Sequence, residues 1–148
     1  YERLNINVVN MSLGGGEFAK AAEEVSTYSD ELRRLNELGV YVIGASGNDG
    51  ETRTGLSRVG YPAADPNVIA VGATDVDGAI STFTSRGRLM DILAPGEQYP
   101  VIARLGFDNE FIDGTSFAAP AVAGVAALVY QAIGGRVLQP NDISSVLL

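Results

Sequence analysis

Two short apolar runs constrain this chain more than any other feature. Val40-Tyr41-Val42-Ile43-Gly44-Ala45 and Val68-Ile69-Ala70-Val71-Gly72-Ala73 are of strand length and nearly continuous in apolar residues. A strand with one wet face alternates, so a run without alternation predicts a strand covered on both faces, the habit of parallel sheets. Ahead of the first run, Phe18, Ala21, Ala22, Val25, Leu32, Leu35 and Leu38 recur at helical spacing. Glu23, Glu24, Asp30, Arg33, Arg34 and Glu37 occupy the other faces, and Gly39 supplies a left-handed cap. Further upstream, Ile6 to Ser12 is rich in β-branched residues and is stopped by Leu13-Gly14-Gly15-Gly16, which predicts a strand ending in a glycine turn. A strand, a helix and a parallel strand form a right-handed unit. The expected fold class is α/β, a parallel sheet with helices on both faces.

The remaining pattern extends this reading. Ser46 to Gly60 is polar and punctuated by glycine, which predicts a surface loop, and Asp75-Val76-Asp77-Gly78 predicts a turn. Asp91-Ile92-Leu93-Ala94 predicts a short strand cut off by Pro95-Gly96. Val101 to Arg104 and Glu110 to Asp113 predict a hairpin turning at Asp108-Asn109. Gly114 to Gly135 carries no formal charge and is long enough to raise the question of a membrane span. It is mostly Ala and Gly, holds Pro120 and opens on Gly114-Thr115-Ser116, so a buried core helix from Thr115 to Ile133 is expected and no membrane span. A last helix is expected to start at Pro140 and run to Leu148.

The chain has 148 residues, the size of one domain, and 46% of them are hydrophobic. Its net charge of -8 lacks the electropositive footprint that a phosphate backbone requires, which argues against a nucleic-acid partner. Cysteine and histidine are both absent. Disulfides and thiol nucleophiles are thereby excluded, and any enzyme reading must take its general base from somewhere other than a histidine of this chain. Opening on Tyr1 without Met, the chain reads as an excerpt.

Chemistry in an open parallel sheet gathers at the carboxyl ends of the strands. Three segments belong there: Ser12-Leu13-Gly14-Gly15, Ala45-Ser46-Gly47-Asn48 and Gly114-Thr115-Ser116. Ser116 opens a long apolar helix, where free N–H groups and the positive dipole end favour a developing anion, the setting a serine nucleophile needs. On the turn alone, Ser116 or Thr115 reads as a helix cap, and Asn48 by itself as a turn asparagine. Gly14-Gly15-Gly16-Glu17-Phe18-Ala19 also fits a dinucleotide-binding fingerprint, although the second strand ends in Ser46-Gly47-Asn48 where that fold places an acidic residue.

Taken in order, Asn10-Met11-Ser12-Leu13-Gly14-Gly15, Ala45-Ser46-Gly47-Asn48, Gly60-Tyr61-Pro62, Val68 to Ala73, Ala94-Pro95-Gly96 and Gly114-Thr115-Ser116-Phe117-Ala118-Ala119-Pro120 resemble the subtilisin-like serine proteases. The similarity covers essentially the whole chain as the C-terminal portion, residues 1–148, of one peptidase domain with the three-layer subtilisin-like architecture. It implies that Ser116 is the nucleophile, that the Asn48 amide and the Ser116 N–H form the oxyanion hole, and that Thr115 supports it. It also implies a pocket for the residue before the scissile bond, walled by Ser12, Leu13 and Gly14 and by Ala45, Ser46 and Gly47, with Gly60 at its base. Nothing charged is expected to line that pocket, so large apolar side chains should fill it.

The resemblance implies as well that the triad Asp and His precede this segment. The chain alone should therefore be inactive, with a polypeptide as substrate and the missing N-terminal half, or another copy of the chain, as partner. A catalytically dead binding module is the alternative. Asn48 argues against the related sedolisins, which place Asp in the oxyanion hole. No cofactor is required for the chemistry. Asp75 and Asp77 lack the further ligands of a calcium loop. Structural calcium near Asp91 is possible, but Leu89 supplies no second carboxylate, and the metal content stays unknown. Family habit points to a secreted or cell-envelope protein.

Overall fold

The computed structural model describes residues 6–18, 28–50, 58–101 and 110–134. Strands β1 (Val8–Met11), β3 (Tyr41–Ala45), β5 (Ile69–Thr74) and β6 (Ile92–Pro95) form one sheet in the order β1-β3-β5-β6. All of its pairings are parallel, with Val9 opposite Val42, Gly44 opposite Ala70 and Ala73 opposite Ala94. Two antiparallel pairs lie beside it: β2 (Gly15–Phe18) with β4 (Val59–Tyr61), and β7 (Tyr99–Val101) with β8 (Glu110–Ile112).

The unalternating runs behave as their composition requires, because side chains along a strand point to opposite faces in turn. Tyr41, Ile43 and Ala45 of β3, with Ile69, Val71 and Ala73 of β5, pack on one face against Ala118, Ala119, Val122 and Ala126. Those four belong to helix α2 (Thr115–Ala132). On the other face Val42 and Val68 pack against Leu32 of helix α1 (Ser29–Glu37). Helices thus cover both faces, and the α/β reading stands. Three of the five buried residues of α2 are alanine, which lets the helix lie close to the sheet; Tyr130 meets Tyr41 edge-on at 6.4 Å. By length and composition α2 could cross a membrane, but its alanine face is packed on this sheet.

Several boundaries differ from the pattern. The helix expected from Phe18 is described only as α1; Gly15–Phe18 form strand β2, and residues 19–27 lie outside the described residues. This also corrects the dinucleotide reading, in which the glycines must run directly into a helix. Strand β4 occupies the end of the expected loop. The expected hairpin is present as β7 and β8, two residues earlier on its first strand, while its turn and the helix expected at Pro140 lie outside the described residues.

Gly96 marks where the sheet meets the turn before α2. Its N–H donates to the Thr74 carbonyl at 3.0 Å, and its own carbonyl accepts from the Gly114 N–H at 2.8 Å. A Cβ at this position would stand 2.5 Å from the Ala73 Cβ and 3.0 Å from the Gly114 carbonyl oxygen. Gly96→Ala should therefore destabilise the protein by about 1–3 kcal/mol through overpacking. The measurement is the urea midpoint at constant m-value; an unshifted midpoint would show that the two segments are not in contact here.

Candidate active site

The first turn of α2 carries more hydrogen-bonding groups than the helix can satisfy. Pro120 adds to the shortage, because it has no N–H to donate to the Ser116 carbonyl four residues before it. The Ser12 hydroxyl, at the end of β1, fills that vacancy and donates to the Ser116 carbonyl at 2.8 Å. In turn it accepts from Asn10 Nδ2 at 3.0 Å. The Ser116 hydroxyl rests against the Ser12 carbonyl at 3.4 Å, a long contact that leaves it loosely held.

At the end of β3 a second set of bonds fixes Asn48. The Thr115 N–H and the Thr115 hydroxyl both donate to Asn48 Oδ1, at 3.0 and 2.9 Å. The same hydroxyl accepts from the Gly47 N–H at 3.3 Å. This sets which way the carboxamide faces: its oxygen is committed to Thr115, and the two N–H groups of Nδ2 have no acceptor among the described residues. Gly47 is glycine for a local reason. Its φ is 110°, and a Cβ there would come within 2.9 Å of the Ser85 hydroxyl.

The Ser116 N–H, second in the helix, has no intrahelical acceptor by geometry. Asn48 and Ser116 both line a cavity of ≈ 370 Å³, whose remaining walls are Ser12 to Gly16, Ala45, Gly47, Gly60 and Thr115, with Asp49. Free donors at the positive end of a helix, beside a hydroxyl and a cavity, can stabilise an oxygen that becomes negative as the hydroxyl adds to a carbonyl.

The structure brings Ser116, Asn48, Thr115, Ser12, Leu13, Gly14, Ala45, Gly47 and Gly60 to one cavity. Ser46 is apart from them. It is fully buried, lies outside the cavity lining and acts through its backbone, its carbonyl accepting from the Gly60 N–H at 2.8 Å. That bond holds β4 beside the cavity, where a Cβ on Gly60 would meet the Gly15 and Gly16 carbonyls at 3.3 and 3.4 Å. The expectation of an uncharged lining is corrected, since Asp49 is part of it. A side-chain direction in an irregular loop has no sequence period to betray it.

Away from the cavity, Asp91 accepts from the Ala70 N–H at 2.8 Å. Loss of water around its carboxyl pushes its pKa above the ordinary value, against the lowering effect of that bond. Among the described residues no group of three or more Asp or Glu is arranged to hold a metal ion.

The Ser12 bond has a measurable consequence. Ser12→Ala should leave the Ser116 carbonyl without a donor and lower stability by about 1–3 kcal/mol, read from the denaturant midpoint of the complete protein. A loss below about 0.3 kcal/mol would mean that another group already satisfies that carbonyl.

Comparison with known proteins agrees with this geometry. A sequence profile described as the subtilase family matches residues 2–148. The alkaline serine protease ver112 of Corniculantispora psalliotae is 39% identical over 86% of this chain, which spans 30% of that protein. Subtilisin E of Bacillus subtilis is 38% identical over 84% of the chain, which spans 31% of it. The chain therefore covers about a third of the length of these relatives. Among solved structures, the prenylagaramide maturation protease PagA superposes with a TM-score of 0.74 at 30% identity, covering 97% of this chain and 51% of that one. A mutant of the protease domain of PatA gives a TM-score of 0.75 at 31% identity, with the same coverage of both chains. With the motif order, the parallel sheet and the Ser116 turn all in agreement, the chain belongs to the subtilase family of serine proteases.

Proposed function

We propose that this chain supplies the nucleophile, the oxyanion donors and the substrate pocket of a serine endopeptidase. One observation carries the reading: Thr115 turns the Asn48 carboxamide so that its oxygen is occupied and its N–H groups are free, next to the unsatisfied Ser116 N–H. In the proposed reaction Ser116 Oγ attacks the carbonyl carbon of a peptide bond and its proton passes to a general base. The carbonyl oxygen becomes an oxyanion held by Asn48 Nδ2 and the Ser116 N–H. The C–N bond then breaks, the amine leaves with the proton returned by the base, and water releases the acyl group from Ser116.

No histidine occurs among the 148 residues, so in this reading the base comes from a part of the complete protein outside them. The chemistry uses protein groups and water alone and requires no cofactor. The cavity between the ends of β1 and β3 would take the side chain that precedes the scissile bond. With Gly60 at the floor and small residues on the walls, a large apolar side chain fits it.

Three experiments test the reading. Residues 1–148 alone should hydrolyse a chromogenic peptide no faster than their Ser116→Ala variant, since loss of the base costs roughly a millionfold in rate, a figure known from subtilisin itself. The complete protein should react with a fluorophosphonate at Ser116. Labelling at a different serine would remove Ser116 from the role, and a folded complete protein that takes no label would be a binding module. In the complete enzyme Asn48→Leu should lower kcat by about a hundred- to a thousandfold, again the loss known for subtilisin, with KM little changed. An effect confined to KM would make Asn48 a ground-state contact.

A further inference from the structure

Along β1 the side chains on the α2 side of the sheet change character. Val8 packs against the cluster that α2 covers, and two residues on, where the strand returns to the same face, stands the polar Asn10, opposite the fully buried Ile43. Just beyond the strand, Ser12 reaches the first turn of α2.

The Ser12 hydroxyl has a single proton to give. It goes to the Ser116 carbonyl, which can only accept, so the Asn10 atom 3.0 Å from Ser12 Oγ must be a donor, and the carboxamide is turned with Nδ2 toward Ser12. Bonds therefore run one way, from Asn10 to Ser12 to Ser116. A hydroxyl alone would rotate among several acceptors, but with a lone pair of Oγ engaged by Nδ2 its proton points away from Asn10 and onto α2.

The Ser116 carbonyl shares its Cα with the N–H and the Oγ that the reaction needs. Because Oγ has only a 3.4 Å contact with the Ser12 carbonyl, the 2.8 Å bond to the Ser116 carbonyl is the closer tie between this residue and the end of β1. We propose that Asn10 is a positioning residue for the nucleophile, setting the direction of the Ser12 hydroxyl bond and so the placement of the Ser116 N–H and Oγ. It touches no reacting atom. Its effect is on rate, which small displacements of reacting groups reduce steeply.

This inference rests on the proposed peptidase reading, and the test separates the two. In the complete protein, Asn10→Leu nearly keeps the size of the side chain and removes its donor. It should slow fluorophosphonate labelling of Ser116 and lower kcat for a chromogenic peptide by roughly three- to tenfold, the worth of one ordinary hydrogen bond, with KM little changed. Asn10→Asp puts an acceptor where the donor was, draws the Ser12 proton off the Ser116 carbonyl, and should slow both further. In Ser12→Ala the relay is already cut, so adding Asn10→Leu should change neither rate. Equal losses from Asn10→Leu in the wild type and in Ser12→Ala would show that Asn10 acts by another route and overturn the inference. Unchanged labelling and kcat would overturn it too, and a lowered urea midpoint beside them would mark a purely structural role. The peptidase reading survives either result. Turnover that survives Ser116→Ala would overturn both.

Discussion

The structure depends on how the first turn of α2 is satisfied. A helix start exposes unpaired N–H groups, and Pro120 strips a further bond from the same turn by leaving the Ser116 carbonyl without its donor. Partners arrive from two neighbouring strand ends: Ser12 beyond β1 donates to the Ser116 carbonyl, and Asn48 beyond β3 accepts from the Thr115 N–H and hydroxyl. Those bonds tie the helix start to the sheet. They also leave over a particular set of donors, the Ser116 N–H and the Asn48 amide, that the fold itself does not use. A site that binds a developing anion needs donors of this kind, oriented in advance and otherwise idle.

Placement of that turn relies on small residues. The alanine stripe of α2 sits directly on Ile43, Val71 and their neighbours, so the helix axis is set by close contact and not by long, adaptable side chains. Gly96 and Gly114 join the end of β6 to the same turn at 2.8 Å. On the opposite face α1 is fastened differently. Leu32 packs on Val42 and Val68, the Ser29 hydroxyl donates to the buried Asp65 carboxylate, and Arg33 bridges Asp30 and Glu37 on the solvent side. The exposed bridges contribute little, so packing and the Asp65 bond carry that helix.

The sequence made the central sheet legible because continuous apolar runs of strand length have few alternatives in a domain of this size. The antiparallel pair β7 with β8 was legible as a hairpin, but the pair β2 with β4 was not. Gly15–Phe18 and Val59–Tyr61 are short, contain glycine and pair through a register shift, so neither shows a period of two. Ser116, Thr115 and Asn48 could be picked out by residue type and by their position at strand ends, but the bond that gives Asn48 its direction spans 67 positions and needs the fold. Ser46 and Asp49 show the limit from both sides. Ala45, Gly47, Asn48 and Asp49 line the cavity, yet Ser46 among them is fully buried and lies outside the lining. Which of two adjacent residues faces a cavity is settled by the docking of residues 47–50 on Ser85, some thirty-six positions away.

The distribution of rigidity follows from these contacts. Asn48 is exposed, yet its carboxamide is held by two hydrogen bonds, and Gly47 beside it occupies a backbone region that an L side chain would strain. Ser116 Oγ is the loosely held group, with only a 3.4 Å contact to the Ser12 carbonyl. A donor pair that must not move and a hydroxyl that must leave its resting contact to attack are different mechanical requirements, and the same turn meets both. Because the Ser116 carbonyl is anchored to Ser12, rotation about the Cα–Cβ bond of Ser116 can release the hydroxyl without moving the N–H that would receive the oxyanion. The missing N–H of Pro120 leaves the Ser116 carbonyl open to that anchor, whereas an ordinary residue there would donate to the same oxygen from within the helix.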